Sequence, residues 1–100
     1  MNEESRRFIE TLTETIRSRA DASDQDGSYT RSLLDAGIDR IAQKVGEEGV
    51  EVAIAAVSKD DTALLGEAAD MLYHLMVLLQ ARDLTLDDVV GVLQSRHRGG

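Results

Sequence analysis

Two stretches of this sequence carry carboxylates at a spacing suited to holding a divalent cation. The first is Lys44–Val45–Gly46–Glu47–Glu48–Gly49–Val50–Glu51, inside an otherwise amphipathic helical pattern. Take Ile41 as zero on a wheel of about 100° per residue; Val45 then falls at about +40°, Val52 at about +20° and Glu48 at about −20°. Glu48 therefore interrupts the apolar stripe. A carboxylate facing a core is costly unless it is paired, hydrogen-bonded or bound to a metal. Glu51 is its neighbour on the same helix surface, and Glu47 and Lys44 flank the pair.

The second stretch holds Glu67 and Asp70, just before the apolar run Met71–Leu72–Tyr73–His74–Leu75–Met76–Val77–Leu78–Leu79. Glu67, Asp70 and His74 fall within about 60° of one another on a helical wheel, so they share one face. Oxygen donors at i and i+3 on two helices suit Mg²⁺ or Mn²⁺. Acids on a helix are usually a solvated face, and Glu47 or Glu67 alone would read that way. The pattern Glu-Glu-x-x-Glu, fifteen residues, then Glu-x-x-Asp is more specific. It points to a shared metal site, with ligands expected among Glu47, Glu48, Glu51, Glu67 and Asp70. His74 reads first as a satisfied core histidine, and otherwise as a residue that supports a metal ligand or touches a substrate. Tyr73 lies on another face and reads as packing, and the methionines read as core filler.

The elements that must position these residues are helices. Phe8, Ile9, Leu12 and Ile16 repeat at helical spacing and predict a first helix over 4–20. The polar stretch 21–28 reads as a loop. Asp24, Asp26 and Gly27 suggest a calcium loop only superficially: with Gly27 in sixth place, Ala22 and Leu33 stand where ligands belong. Ser28–Tyr29–Thr30 opens a short helix that Gly37 ends. The next helix runs from Ile38 or Asp39 to about Ser58. Gly46 and Gly49 inside it each cost about 1 kcal/mol relative to Ala, and allow close approach of a helix or a ligand. Asp60 or Asp61 caps a helix to about Ala81. Its 68–79 stretch is apolar around most of its circumference and must be buried on several sides, which predicts a partner chain. After a turn at 82–84, Thr85 caps a last helix carrying Leu86, Val89, Val90 and Leu93. Residues 1–3 and 95–100 are expected to fray.

The fold class is therefore all-α, a single domain over 1–100 built as a bundle of four or five helices. The sequence has no Cys, so disulfides, thiolate zinc sites and cysteine nucleophiles are excluded. Its net charge of −8 argues against a nucleic-acid binder, which shows a basic patch. An anionic substrate is still compatible with that charge when metal ions bridge the two. The polar N-terminus begins no signal peptide, and no apolar run reaches the length of a membrane span. A cytoplasmic protein fits these features.

The blocks Ser28–Tyr29–Thr30 and Gln43–Lys44–Val45–Gly46–Glu47–Glu48, with Glu51, Glu67 and Ala69–Asp70–Met71–Leu72–Tyr73–His74–Leu75, resemble the phosphoribosyl-ATP pyrophosphatase family. That family belongs to the all-α nucleotide pyrophosphohydrolases related to MazG. The acid pattern marks the wider group; the Ser-Tyr-Thr and Lys-Val-Gly blocks narrow it. The resemblance implies Mg²⁺-dependent hydrolysis of 1-(5-phosphoribosyl)-ATP to 1-(5-phosphoribosyl)-AMP and pyrophosphate, the second step of histidine biosynthesis. It implies metal ligation by Glu48, Glu51, Glu67 and Asp70, with Glu47 as a further ligand or base. It also implies substrate contacts from Lys44, Ser28, Tyr29, Thr30 and His74. A homodimer formed through the apolar helix is expected. The alternative within the group is a MazG-like pyrophosphatase of other nucleoside triphosphates. A non-catalytic helical partner protein is the alternative outside it, and the intact acid pattern argues against that.

Overall fold

The structure, a computed structural model, describes residues 1–21, 28–58 and 60–99. Its elements are α1 (Glu3–Asp21), α2 (Tyr29–Ala36), α3 (Ile38–Ser58), α4 (Asp61–Ala81) and α5 (Leu86–Gly99). No strand occurs among the described residues. The expected all-α class and the helix order both hold. Most of the loop expected over 21–28, including the dismissed calcium pattern, lies outside the described residues.

Local chemistry sets the helix ends. Free N–H groups at a helix start need acceptors, and short polar side chains supply them. The Asn2 side chain accepts from Ser5 N at 2.8 Å, Ser28 Oγ from Arg31 N at 3.0 Å, and Asp60 Oδ1 from Ala63 N at 2.9 Å. At α5, Thr85 N donates to Asp88 Oδ2 and Asp88 N donates to Thr85 Oγ1, a reciprocal capping box. Gly37 separates α2 from α3 with φ of 96°, a backbone conformation that glycine adopts without a Cβ penalty. After α4, Leu84 N donates to Leu79 O and Asp83 N to Gln80 O. That is a Schellman closure, with Asp83 in the left-handed position where glycine is usual.

Helices α3 and α4, joined by a two-residue connection, pack along their length as a helical hairpin. Helices α1 and α2 close over the half of the hairpin that holds Ile41, Met76 and Val77. These three residues with Ile16 of α1 and Leu33 of α2 form the buried core. Burying aliphatic side chains of this kind contributes about 1.5–3 kcal/mol each. Arg31 of α2 holds α1 in place: its Nη1 donates to the carbonyls of Arg19 and Ala20 at 3.2 and 3.0 Å. Those are carbonyls at a helix C-terminus, which lack intrahelical partners.

Three observations depart from the expectations. First, α4 is long and apolar enough, by length and composition, to cross a membrane, although its uninterrupted apolar run is short. A core helix passes the same test. Here His74, Met76 and Val77 of α4 are buried inside the domain, and Glu67 and Asp70 lie beside an acid of α3. Second, α5 continues through the 95–99 stretch that was expected to fray. Third, α5 has no buried residue; only Leu86, at its start, packs on the core. Val90, Val92 and Leu93 on α5 are exposed, as are Val50, Ile54 and Val57 on α3 and Leu65 on α4. The radius of gyration, 14.8 Å, exceeds the value of about 13 Å usual for 100 residues.

Candidate metal centre and its surroundings

The hairpin register decides which acids meet. Glu48 from the middle of α3 faces Glu67 and Asp70 from α4, and one oxygen of each lies within 4.8 Å of the others. Three carboxylates at that distance repel one another unless a cation or a proton intervenes. They are hard oxygen donors on two rigid helices, so the donor set suits a small divalent cation. Glu48 and Glu67 are half-buried and Asp70 is exposed, which leaves one side open to a ligand.

The remaining expected residues border this trio. Partial burial raises the Glu67 carboxyl above its ordinary range, and so do the charge of Glu51, a hydrogen bond with the Glu51 carboxyl, and the charges of Glu48 and Asp70. Glu51 is thus a neighbour of Glu67 at the edge of the trio. Glu47 turns outward: its Oε2 accepts from Gln43 Nε2 at 3.1 Å, and its Oε1 lies 3.7 Å from Lys44 Nζ. Lys44 Nζ also lies 3.6 Å from Glu48 Oε1. The glycines of this stretch have no packing duty inside the chain. A Cβ on Gly46 would meet open space, and one on Gly49 would make ordinary contact with Met71 Cε at 4.0 Å.

One turn beyond Asp70, the start of α2 docks on α4. Tyr29 OH lies 2.8 Å from His74 Nε2, and His74 Nδ1 lies 2.7 Å from the Asp70 carbonyl oxygen. A carbonyl only accepts, so Nδ1 carries the proton. In the neutral ring Nε2 is then the acceptor, and Tyr29 donates to it. Thr30 Oγ1 hydrogen-bonds the Tyr73 hydroxyl. The Tyr29 and Tyr73 rings stack at 6.3 Å, and both meet the His74 imidazole edge-on. Thr30 and His74 are buried, whereas Tyr29 is 52% exposed. Ser28 caps α2. Tyr73 packs and also bonds through its hydroxyl; the sequence signal for that bond is a tyrosine in place of an aliphatic residue in an apolar helix.

Comparison with known proteins adds a family to this geometry. A model of the family described as phosphoribosyl-ATP pyrophosphohydrolase matches residues 9–97. The chain belongs to the phosphoribosyl-ATP pyrophosphohydrolase family. Similar relatives include a protein of Xanthomonas axonopodis pv. citri named histidine biosynthesis bifunctional protein HisIE. It is 65% identical over 72 residues, which are 72% of this chain and 35% of that protein. The protein of that name from Xylella fastidiosa (strain Temecula1) is 55% identical over 91 residues, 91% of this chain and 44% of the relative. The one from Vibrio parahaemolyticus is 50% identical over 91 residues, 91% of this chain and 43% of the relative. The chain thus spans less than half the length of these relatives. Membership in a pyrophosphohydrolase family makes the chain a hydrolase domain, and the acid trio sits inside the matched region.

Proposed function

We propose that this chain hydrolyses 1-(5-phosphoribosyl)-ATP to 1-(5-phosphoribosyl)-AMP and pyrophosphate, the second step of histidine biosynthesis, in the cytoplasm and with Mg²⁺. The observation that carries this reading is the meeting of Glu48, Glu67 and Asp70, within 4.8 Å, in a chain matched by the family over 9–97. A divalent ion bound there supplies charge neutralisation for the phosphates and a more acidic water.

The side chains then divide the work. Glu48 of α3 and Glu67 and Asp70 of α4 would hold the ion, with Glu51 beside Glu67 as a further ligand. Glu47, exposed and hydrogen-bonded to Gln43, would take a proton from water or ligate a second ion. Lys44 exchanges its carboxylate partners for a substrate phosphate, which it meets as a point charge. Tyr29 offers the exposed ring on the substrate side. Ser28, Thr30 and His74 shape that side from their hydrogen-bonded positions.

We propose a homodimer as the working form. The apolar residues Val50, Ile54 and Val57 follow i, i+4, i+7 spacing along α3, and with Leu65 of α4 they leave apolar surface on the hairpin that carries the site. The test of function is product analysis with phosphoribosyl-ATP and Mg²⁺, comparing the parent with Glu48→Gln and Asp70→Asn. Loss of one ligand should lower kcat/KM at least about a hundredfold, or about 2.7 kcal/mol. Parent-like turnover by both variants would remove the trio from the reaction.

A further inference from the structure

Thr30 and His74 are buried polar groups, and neither belongs to the acid trio. Each is paired across the same junction, between the start of α2 and the middle of α4. One of the two pairings continues into the trio: Tyr29 OH to His74 Nε2 at 2.8 Å, then His74 Nδ1 to Asp70 O at 2.7 Å. We infer that Tyr29 is a positioning residue for Asp70, acting through His74; the inference rests on the metal-site reading above.

A neutral histidine has one donor and one acceptor nitrogen. Here the donor grips the backbone of the very residue whose carboxylate meets Glu48 and Glu67. The ring holds that grip only while its orientation is fixed. Its edges meet Tyr29 and Tyr73 and its acceptor nitrogen takes the Tyr29 hydroxyl, so the Asp70 carbonyl sets the tautomer and the phenol holds the ring angle. The carbonyl of Asp70 and its Cα belong to one turn, so steadying the carbonyl steadies the direction in which the carboxylate leaves the helix. Partners at one remove from a ligand commonly change metal affinity by about tenfold or more. Tyr29 is itself tied down, because its ring stacks on Tyr73. The backbone at Tyr29 also begins α2, so the clasp fixes the distance between that helix start and the acid trio.

The test is Mn²⁺ binding by titration calorimetry, which needs no substrate. Tyr29→Phe keeps the ring stack and removes only the hydroxyl. It should weaken Mn²⁺ binding about tenfold. His74→Ala should weaken it similarly, and the double variant should be no weaker than the worse single one, because both cut one chain of bonds. Lowered thermal stability of Tyr29→Phe with parent-like Mn²⁺ affinity would overturn the inference and leave the pair a purely structural clasp. Should His74→Ala fail to fold, Tyr29→Phe alone decides the question. Glu48→Gln serves as the reference. If it leaves Mn²⁺ binding intact, the metal site itself is wrong and the inference falls with it. If it abolishes binding while Tyr29→Phe does not weaken it, only the inference falls.

Discussion

Lys44 Nζ lies 3.6 Å from Glu48 Oε1, one helical turn away on α3. Both side chains are largely buried, so the pair is less screened than a surface one. The lysine thus holds an oxygen that a metal ion would need. Removing it as Lys44→Met should tighten Mn²⁺ binding by about two- to fivefold, the worth of a modest ion pair. The same change should lower kcat/KM at least about tenfold, because the phosphate loses its point charge. Calorimetry beside steady-state kinetics reads both. Weaker Mn²⁺ binding would mean that Lys44 organises Glu48 for the ion instead of competing for it.

Glu67 is the better place to look for stored repulsion, since Glu48 has Lys44 as a partner. Burial and three neighbouring carboxylates raise the Glu67 carboxyl above its ordinary 4.5. The folded protein keeps a proton that the unfolded chain releases, so its stability falls as pH rises from 4.5 through the raised value. In chelator, the melting advantage of Glu67→Gln over the parent should therefore grow with pH across that window. Mg²⁺ should close or reverse the gap, because the ion binds the folded parent and relieves the repulsion. A pH-independent difference would count against Glu67 as the strained acid.

The Ser-Tyr-Thr block separates stability from turnover. Ser28→Ala removes the cap of α2 and should cost about 1 kcal/mol with substrate preference unchanged. Thr30→Val keeps the shape but leaves the Tyr73 hydroxyl without its partner, a loss of about 1–3 kcal/mol. Thermal melts should register both changes, with kcat/KM for phosphoribosyl-ATP within about threefold of the parent. A tenfold fall in kcat/KM at an unchanged melting temperature would place the Thr30 hydroxyl on substrate.

Assembly should follow the apolar face of the hairpin. Val57 is 88% exposed and Leu65 is 69% exposed. The 10.9 kDa chain should sediment as a dimer or larger at low micromolar concentration. Val57→Asp with Leu65→Asp should shift it toward monomer without unfolding it, since neither side chain belongs to the core. A parent that sediments as a monomer would contradict the proposed dimer.

Much of this was legible in the residues themselves. Period and caps are local, so Ser28, Gly37, Asp60 and Thr85 marked helix ends where the structure has them. Glu48 announced itself because it broke an apolar stripe. Which acids converge was not legible, because it depends on how α4 slides along α3. That register brings Glu67 and Asp70 to Glu48 and leaves Glu47 with Gln43 and Lys44. The Tyr29–His74 bond joins residues 45 positions apart and has no periodic signature. Arg31 reads as an ordinary surface residue until α1 ends beside it. The loose attachment of α5 was hidden as well, since Val90 and Leu93 have the spacing of a buried face whether or not something covers them.

Product analysis with phosphoribosyl-ATP, ATP and deoxynucleoside triphosphates in parallel, each with Mg²⁺, tests the proposed activity most directly. Expected are equal amounts of pyrophosphate and 1-(5-phosphoribosyl)-AMP from the first substrate, little turnover of the others, and loss of both products in Asp70→Asn. Efficient pyrophosphate release from the deoxynucleotides, with phosphoribosyl-ATP left intact, would contradict the proposed activity and assign the acid trio to a general nucleotide pyrophosphatase.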